Sequence, residues 1–134
     1  MIKLRSLLNE LTSKIYRNVT HGTSQSNAEI IKRSGFKLPK RKALFFDAKG
    51  SKGDLAGVYG SEIIITVDLN AKNIISMSDV RSKIFPEMKK HGQVHNELNT
   101  HNYLIKLGYD LIDNVNELIV LDPKIITIKS FAKI

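Results

Sequence analysis

Apolar positions recur along this chain in two rhythms, and the switches between them lay out the elements. Residues 2–14 set Ile2, Leu4, Leu7, Leu8 and Leu11 at helical spacing, which predicts a short amphipathic helix. Residues 15–21, IYRNVTH, alternate apolar and polar with β-branched content and predict a strand. Ser26 and Glu29 then form an S-x-x-E capping box, and Gly35 supplies a left-handed stop, so a helix is expected over 27–34. FKLPKRKA at 36–43 reads as a basic loop and ALFF at 43–46 as a short buried strand. A Gly, Ser and Lys-rich loop at 47–53 leads to a helical turn at 54–59.

SEIIITVDL at 61–69 is the strongest strand pattern in the chain, followed by a weaker one near 73–77. The pattern over 78–107 is helical with a break expected around Gly92, and Gly108 ends it. Three closely spaced strands follow at 109–112, 117–121 and 125–129, the last two joined by the turn dipeptide Asp122-Pro123. Strand and helix mix early and strands bunch late. That order predicts an α+β fold with mostly antiparallel pairing and short flanking helices, not a doubly wound sheet.

Length makes this one domain over 1–134, with an N-terminal helix at 1–14 and a core at 15–130. An apolar fraction of 42% and a charged fraction of 25% are ordinary for a folded globular chain. There is no cysteine, which excludes disulfides, thiolate metal sites and a thiol nucleophile. No apolar run approaches the ~18 residues of a membrane helix, and the charged N-terminus is unlike a signal peptide. A cytoplasmic protein with no membrane partner is therefore expected, with a monomer favoured. Lys and Arg outnumber Asp and Glu by 21 to 13, a net charge of +8 that suits a polyanion or a dinucleotide pyrophosphate equally.

Three local features offer chemistry. His21-Gly22-Thr23-Ser24 stands where a strand gives way to a helix, with glycine permitting close backbone approach and its neighbours supplying donors and acceptors. Tyr59, among the small residues of AGVYG, offers a ring face for stacking a flat heterocycle. Glu117 opens the strand ELIVL, where a carboxylate can be held rigidly and stabilise positive charge developing on a sugar ring. His91, His95 and His101 cluster within eleven residues, but no cysteine or matched acidic spacing supports a zinc site, so no metal is expected.

Taken in order, THGTS with its following helix and GF, LFFDA at 44–48, AGVYG at 56–60 and NELIVLDPKII at 116–126 resemble the motifs of the ADP-ribosyltransferase fold of the diphtheria-toxin and poly(ADP-ribose) polymerase type. The resemblance covers about residues 15–130 and implies a split β-sheet core that binds NAD as substrate. It implies that His21 bonds a ribose hydroxyl, that the Gly22 backbone holds the nicotinamide carboxamide with Thr23 and Ser24 also among the NAD-binding residues, and that Tyr59 stacks on the nicotinamide ring. Phe45 and Phe46 would wall that pocket, Arg41 of the basic loop would meet the pyrophosphate, and Glu117 would stabilise the oxocarbenium-like state.

Two departures narrow the expectation. Phe45 stands where the family usually carries a tyrosine, and Val115 stands where arginine-modifying members carry Glu or Gln. The expected activity is therefore mono-ADP-ribosyl transfer to another macromolecular acceptor, protein or nucleic acid, by a stand-alone effector or toxin of a bacterium or bacteriophage. Two alternatives share the fold: an RNA 2′-phosphotransferase, and a non-catalytic basic module that binds nucleic acid.

Overall fold

The computed structural model describes residues 13–48 and 62–133. The helix expected at 2–14, the turn expected at 54–59 and Tyr59 lie outside the described residues, apart from the last two positions of that helix. Lys14 already belongs to strand β1, Lys14–Thr23. Six further strands follow: β2 Leu44–Asp47, β3 Ile63–Ala71, β4 Ile74–Ser76, β5 Leu111–Asn114, β6 Glu117–Val120 and β7 Ile126–Lys133. They form one seven-stranded sheet in the order β4-β5-β6-β2-β1-β3-β7. Every pairing is antiparallel except β4 with β5. The fold is α+β, with a mixed sheet and a few short helices.

β1 runs two residues further than its alternation suggests, so His21, Gly22 and Thr23 lie inside the strand, paired with Ile65, Ile64 and Ile63. The chain then turns directly into helix α1, Gln25–Ser34. Because the strand continues to Thr23, the first hydroxyl beyond it takes the cap. Ser24 Oγ accepts from the Asn27 amide at 3.1 Å, and Ser26 falls inside the helix. Gly35 stops the helix as expected: at φ +75° its N–H reaches the Ile31 carbonyl at 2.7 Å.

α1 buries Ala28 and Ile31 against one face of the sheet. That face is mostly apolar, with Val19, Phe46, Ile65, Val67, Leu69 and Leu118 among its fully buried side chains. The β3 pattern IIITVDLNA explains the sidedness: Ile63, Ile65, Val67 and Leu69 are buried while Ile64, Thr66 and Asp68 between them are half-buried.

The parallel β4–β5 pair needs a crossover, and the helical stretch expected over 78–107 provides it in pieces. These are α2 at Met77–Asp79, a π-helical segment at Val80–Ile84, α3 at Phe85–Lys90 and α4 at Glu97–Lys106. The break falls at Gly92, φ +71°, as its sequence position predicts. Val80, Ile84 and Met88 lie four residues apart and pack with Leu104 over Ile75, Ile112 and Ile119. The helices thus cover the second face of the sheet over β4, β5 and β6. Among the described residues no helix is long and apolar enough to cross a membrane.

Candidate functional site

β1 and β2 meet at a single register pair, Thr20 with Asp47. Beyond that pair, toward Gly22 and Phe45, a side chain takes over from the ladder: His21 Nδ1–H donates to the Phe45 carbonyl at 2.8 Å. The imidazole packs edge-on to Phe36 at 5.4 Å and tilted to Phe46 at 5.2 Å. Burial pushes the His21 pKa below its usual value and outweighs the Phe45 carbonyl, which holds it up; the Arg41 charge pushes the same way as burial. A neutral ring with its proton fixed on Nδ1 leaves Nε2 as an acceptor.

Register carries Glu117 to the neighbourhood of this histidine from 96 positions away in the chain. Asp47 pairs with both Thr20 and Glu117, so β2 alone separates the histidine's strand from the glutamate's. At about 4.8 Å per strand, the Glu117 and Thr20 backbones lie about 10 Å apart. Asn114 pairs with Glu117 on the far side, and Thr20 pairs in turn with Thr66, and Thr66 with Ser130. The result is one row, Asn114–Glu117–Asp47–Thr20–Thr66–Ser130, polar at every position across six strands. Two carboxylates, Asp47 and Glu117, thus stand directly opposite each other in the sheet.

One register step from that row, Phe45, Ile119 and Ile112 form an apolar floor on the same face. Above them opens a cavity of about 270 Å³. Glu117 and Asn114 stand at its polar side, and His101 and Thr100 of α4 close it from above. Phe85 and His95 complete the wall, their rings stacked at 4.5 Å and 18°. His101 is buried at 4% exposure, and its Nδ1–H donates to the Arg41 carbonyl at 2.7 Å. The Arg41 guanidinium lies 4.2 Å over the Phe45 ring and 3.8 Å from the Glu97 carboxylate. Two imidazoles therefore grip the Arg41–Phe45 segment, His21 from β1 and His101 from α4.

The residues singled out in the sequence divide accordingly. Glu117 and Phe45 line the cavity, and Arg41 packs on its wall. His21 lies on the side of Val19 and Phe46, touching the cavity through the Phe45 backbone rather than through its ring. Phe46 is a core side chain at 1% exposure. Thr23 Oγ1 accepts from Asn27 Nδ2 at 2.7 Å, so Thr23 and Ser24 both serve the start of α1.

Sequence reasoning missed His101, Phe85 and Asn114 as cavity residues. A signal existed for the first. Glu97, Thr100, His101 and Leu104 share one face of α4, and a helix whose inward stripe begins with Thr and His is covering something other than a closed core. Among the described residues no group of three or more His, Cys, Asp or Glu side chains is placed to hold a metal ion. The chain matches no family model and no curated protein.

Proposed function

We propose that this protein cleaves the nicotinamide–ribose bond of NAD and transfers ADP-ribose to a macromolecular acceptor. The observation that carries the reading is Glu117 in the wall of an aromatic-floored cavity, held there by the cross-strand row it shares with Asp47 and Thr20. Departure of neutral nicotinamide leaves positive charge on the ribose ring, and a rigidly held carboxylate stabilises that charge as it develops. Glu117 supplies it from the first position of β6.

Gly22 would hold the nicotinamide riboside half, offering backbone without a side chain in the way, and His21, its ring on the other face of the sheet, would position Phe45 through the Nδ1–H bond to its carbonyl. Phe45 would wall the ring, and Tyr59 would stack on it, a role that rests on the motif AGVYG alone. The Arg41 guanidinium, half-exposed and only loosely paired with Glu97, is free to turn toward a pyrophosphate. A cavity of about 270 Å³ falls below the roughly 300–1,000 Å³ of sites that enclose a whole drug-sized ligand, so a dinucleotide would lie mostly outside it.

Nicotinamide release from NAD, followed by chromatography, tests the proposal directly. Wild-type protein releases nicotinamide, and Glu117→Gln lowers the rate on the order of a hundredfold. Equal rates for the two proteins would falsify the assignment of Glu117.

A further inference from the structure

We infer that the basic stretch from Lys32 to Lys42 is a docking surface for the phosphate backbone of a nucleic acid, which names the acceptor class. The docking surface stands by itself, and the acceptor assignment rests on the transferase reading above. Six of the 21 lysines and arginines, Lys32, Arg33, Lys37, Lys40, Arg41 and Lys42, fall within these eleven residues. No Asp or Glu occurs between Glu29 and Asp47. All six basic residues are exposed.

Pairing sets this stretch apart from the other cations. Arg17 and Lys129 meet Asp68, Lys83 meets Asp79, and Lys90 meets Glu87. Of the six, Arg41 alone has a carboxylate partner among the described residues, Glu97 at 3.8 Å. Lys32, Arg33, Lys37, Lys40 and Lys42 have none there. Positive potential left uncancelled along one strip attracts a polyanion, and each phosphate it meets releases a condensed counterion.

The strip also has a held shape. It leaves α1 at Gly35, and the Lys42 N–H closes a turn by donating to the Pro39 carbonyl at 2.9 Å. The Arg41 carbonyl ties it to His101 of α4. Phe36 and Leu38 pack on the cluster under α1, while Ala43 belongs to the cluster under α4. The cations therefore pass from one side of the sheet to the other and end at Arg41, beside the cavity residues Phe45 and Glu97. A phosphate backbone laid along them is led toward the NAD site.

Inward packing of the apolar residues decides the class of partner. A segment that docks on a lipid surface inserts apolar side chains below the headgroups. Phe36 and Leu38 are turned to the core, and none of the exposed large hydrophobic residues falls between 32 and 42. Ile30 just before the strip is a single exposed side chain, too little to anchor a lipid interface. Cations without apolar anchors match a phosphate backbone.

Fluorescence anisotropy of the full chain with a labelled DNA strand of about 20 nucleotides, alone and as a duplex, tests the surface. The triple variant Lys37→Gln, Lys40→Gln, Lys42→Gln should raise Kd at least tenfold. It should also flatten the slope of log Kd against log salt by about 2–3, the share of three phosphate contacts. Lys83→Gln, Lys89→Gln, Lys90→Gln removes the same charge elsewhere and should stay within about twofold of wild type. Equal losses in both triple variants would reduce the effect to net charge and overturn the inference. So would absence of binding by wild type, or tighter binding of wild type to phosphatidylserine-containing vesicles than to either DNA. With labelled NAD, wild type should label the oligonucleotide, and the strip variant at subsaturating DNA should do so at least tenfold less. Its nicotinamide release without DNA should remain within about twofold of wild type. Label found on proteins of a cell extract and never on DNA or RNA overturns the acceptor assignment. Failure of wild type to release nicotinamide overturns the transferase reading instead, and anisotropy alone then decides the docking surface.

Discussion

Phe45 and Phe46 are neighbours in sequence and live in different proteins, physically speaking. Phe46 points to the face covered by α1, among Val19, Ile65 and Leu118, with the buried His21 ring at 5.2 Å. Phe45 points to the face covered by α4, under an arginine, beside a histidine, at the edge of a cavity with a carboxylate in its wall. One face leaves a space of about 110 Å³ beside α1, and the other opens more widely, to about 270 Å³. Both faces hold buried apolar clusters, and the difference teaches where the sheet also makes room for polar groups: the α4 face adds a polar row and the larger opening.

The sharpest way to break that contrast is to truncate each ring. Phe46→Ala should cost about 3–5 kcal/mol of unfolding free energy, as deletion of a large core ring does, measured by urea titration. Phe45→Ala should cost clearly less, because the half-buried ring already borders open space. Equal costs would mean that the two faces are equally packed. Next in size, Glu117→Gln should leave the urea midpoint near wild type while lowering nicotinamide release on the order of a hundredfold, equivalent to about 2.7 kcal/mol. A variant that loses stability and activity together would place Glu117 in the scaffold instead.

A smaller effect should come from the turn that presents Glu117. Val115 takes φ +59° in the two-residue β5–β6 connection, with 81% of its surface exposed. A β-branched residue in the left-handed region is strained by about 1–2 kcal/mol, and glycine is not. Val115→Gly should therefore raise stability by about 0.5–1 kcal/mol after glycine's own entropic cost, seen as a higher melting temperature.

His21 sharpens the comparison through pH. Its folded pKa lies below the unfolded value of 6.5, so the unfolded chain takes up a proton that the folded chain resists. Its contribution is fully present above about pH 6.5 and is lost as pH falls below that value. His21→Gln should flatten the acid side of the stability profile. An unchanged profile would locate the acid sensitivity elsewhere.

Legibility of the sequence followed the same division. The alternation in SEIIITVDL, the Gly35 stop and the Gly92 break all concern apolar burial or backbone freedom, and each appears in the fold near its expected place. The capping hydroxyl was misplaced by two residues because the end of β1 is decided by pairing with β3, a contact 40 positions away that Thr23 itself does not advertise. The parallel β4–β5 pair was equally hidden, since three residues such as Ile74–Ser76 look alike whichever way their partner runs. At the site, Glu117 was legible from its place at the mouth of an apolar strand. His101 was not, because a buried histidine at helical spacing reads as core until the space beneath it is known. The polar row was invisible for a related reason: Thr20, Asp47 and Glu117 become one feature only after register is set.

The strand order has a consequence for how the molecule is made. β6 is inserted between β5 and β2, and β7 closes on β3, so two of the seven described strands come late in sequence order, from residues 117–133. A ribosome releases β1, α1, β2 and β3 long before their completing neighbours exist, and the open flanks of β2 and β3 must wait. Folding dominated by such distant pairings belongs to the millisecond-to-second regime rather than the microsecond one. The sheet is in this sense completed by the same short segment that delivers the glutamate.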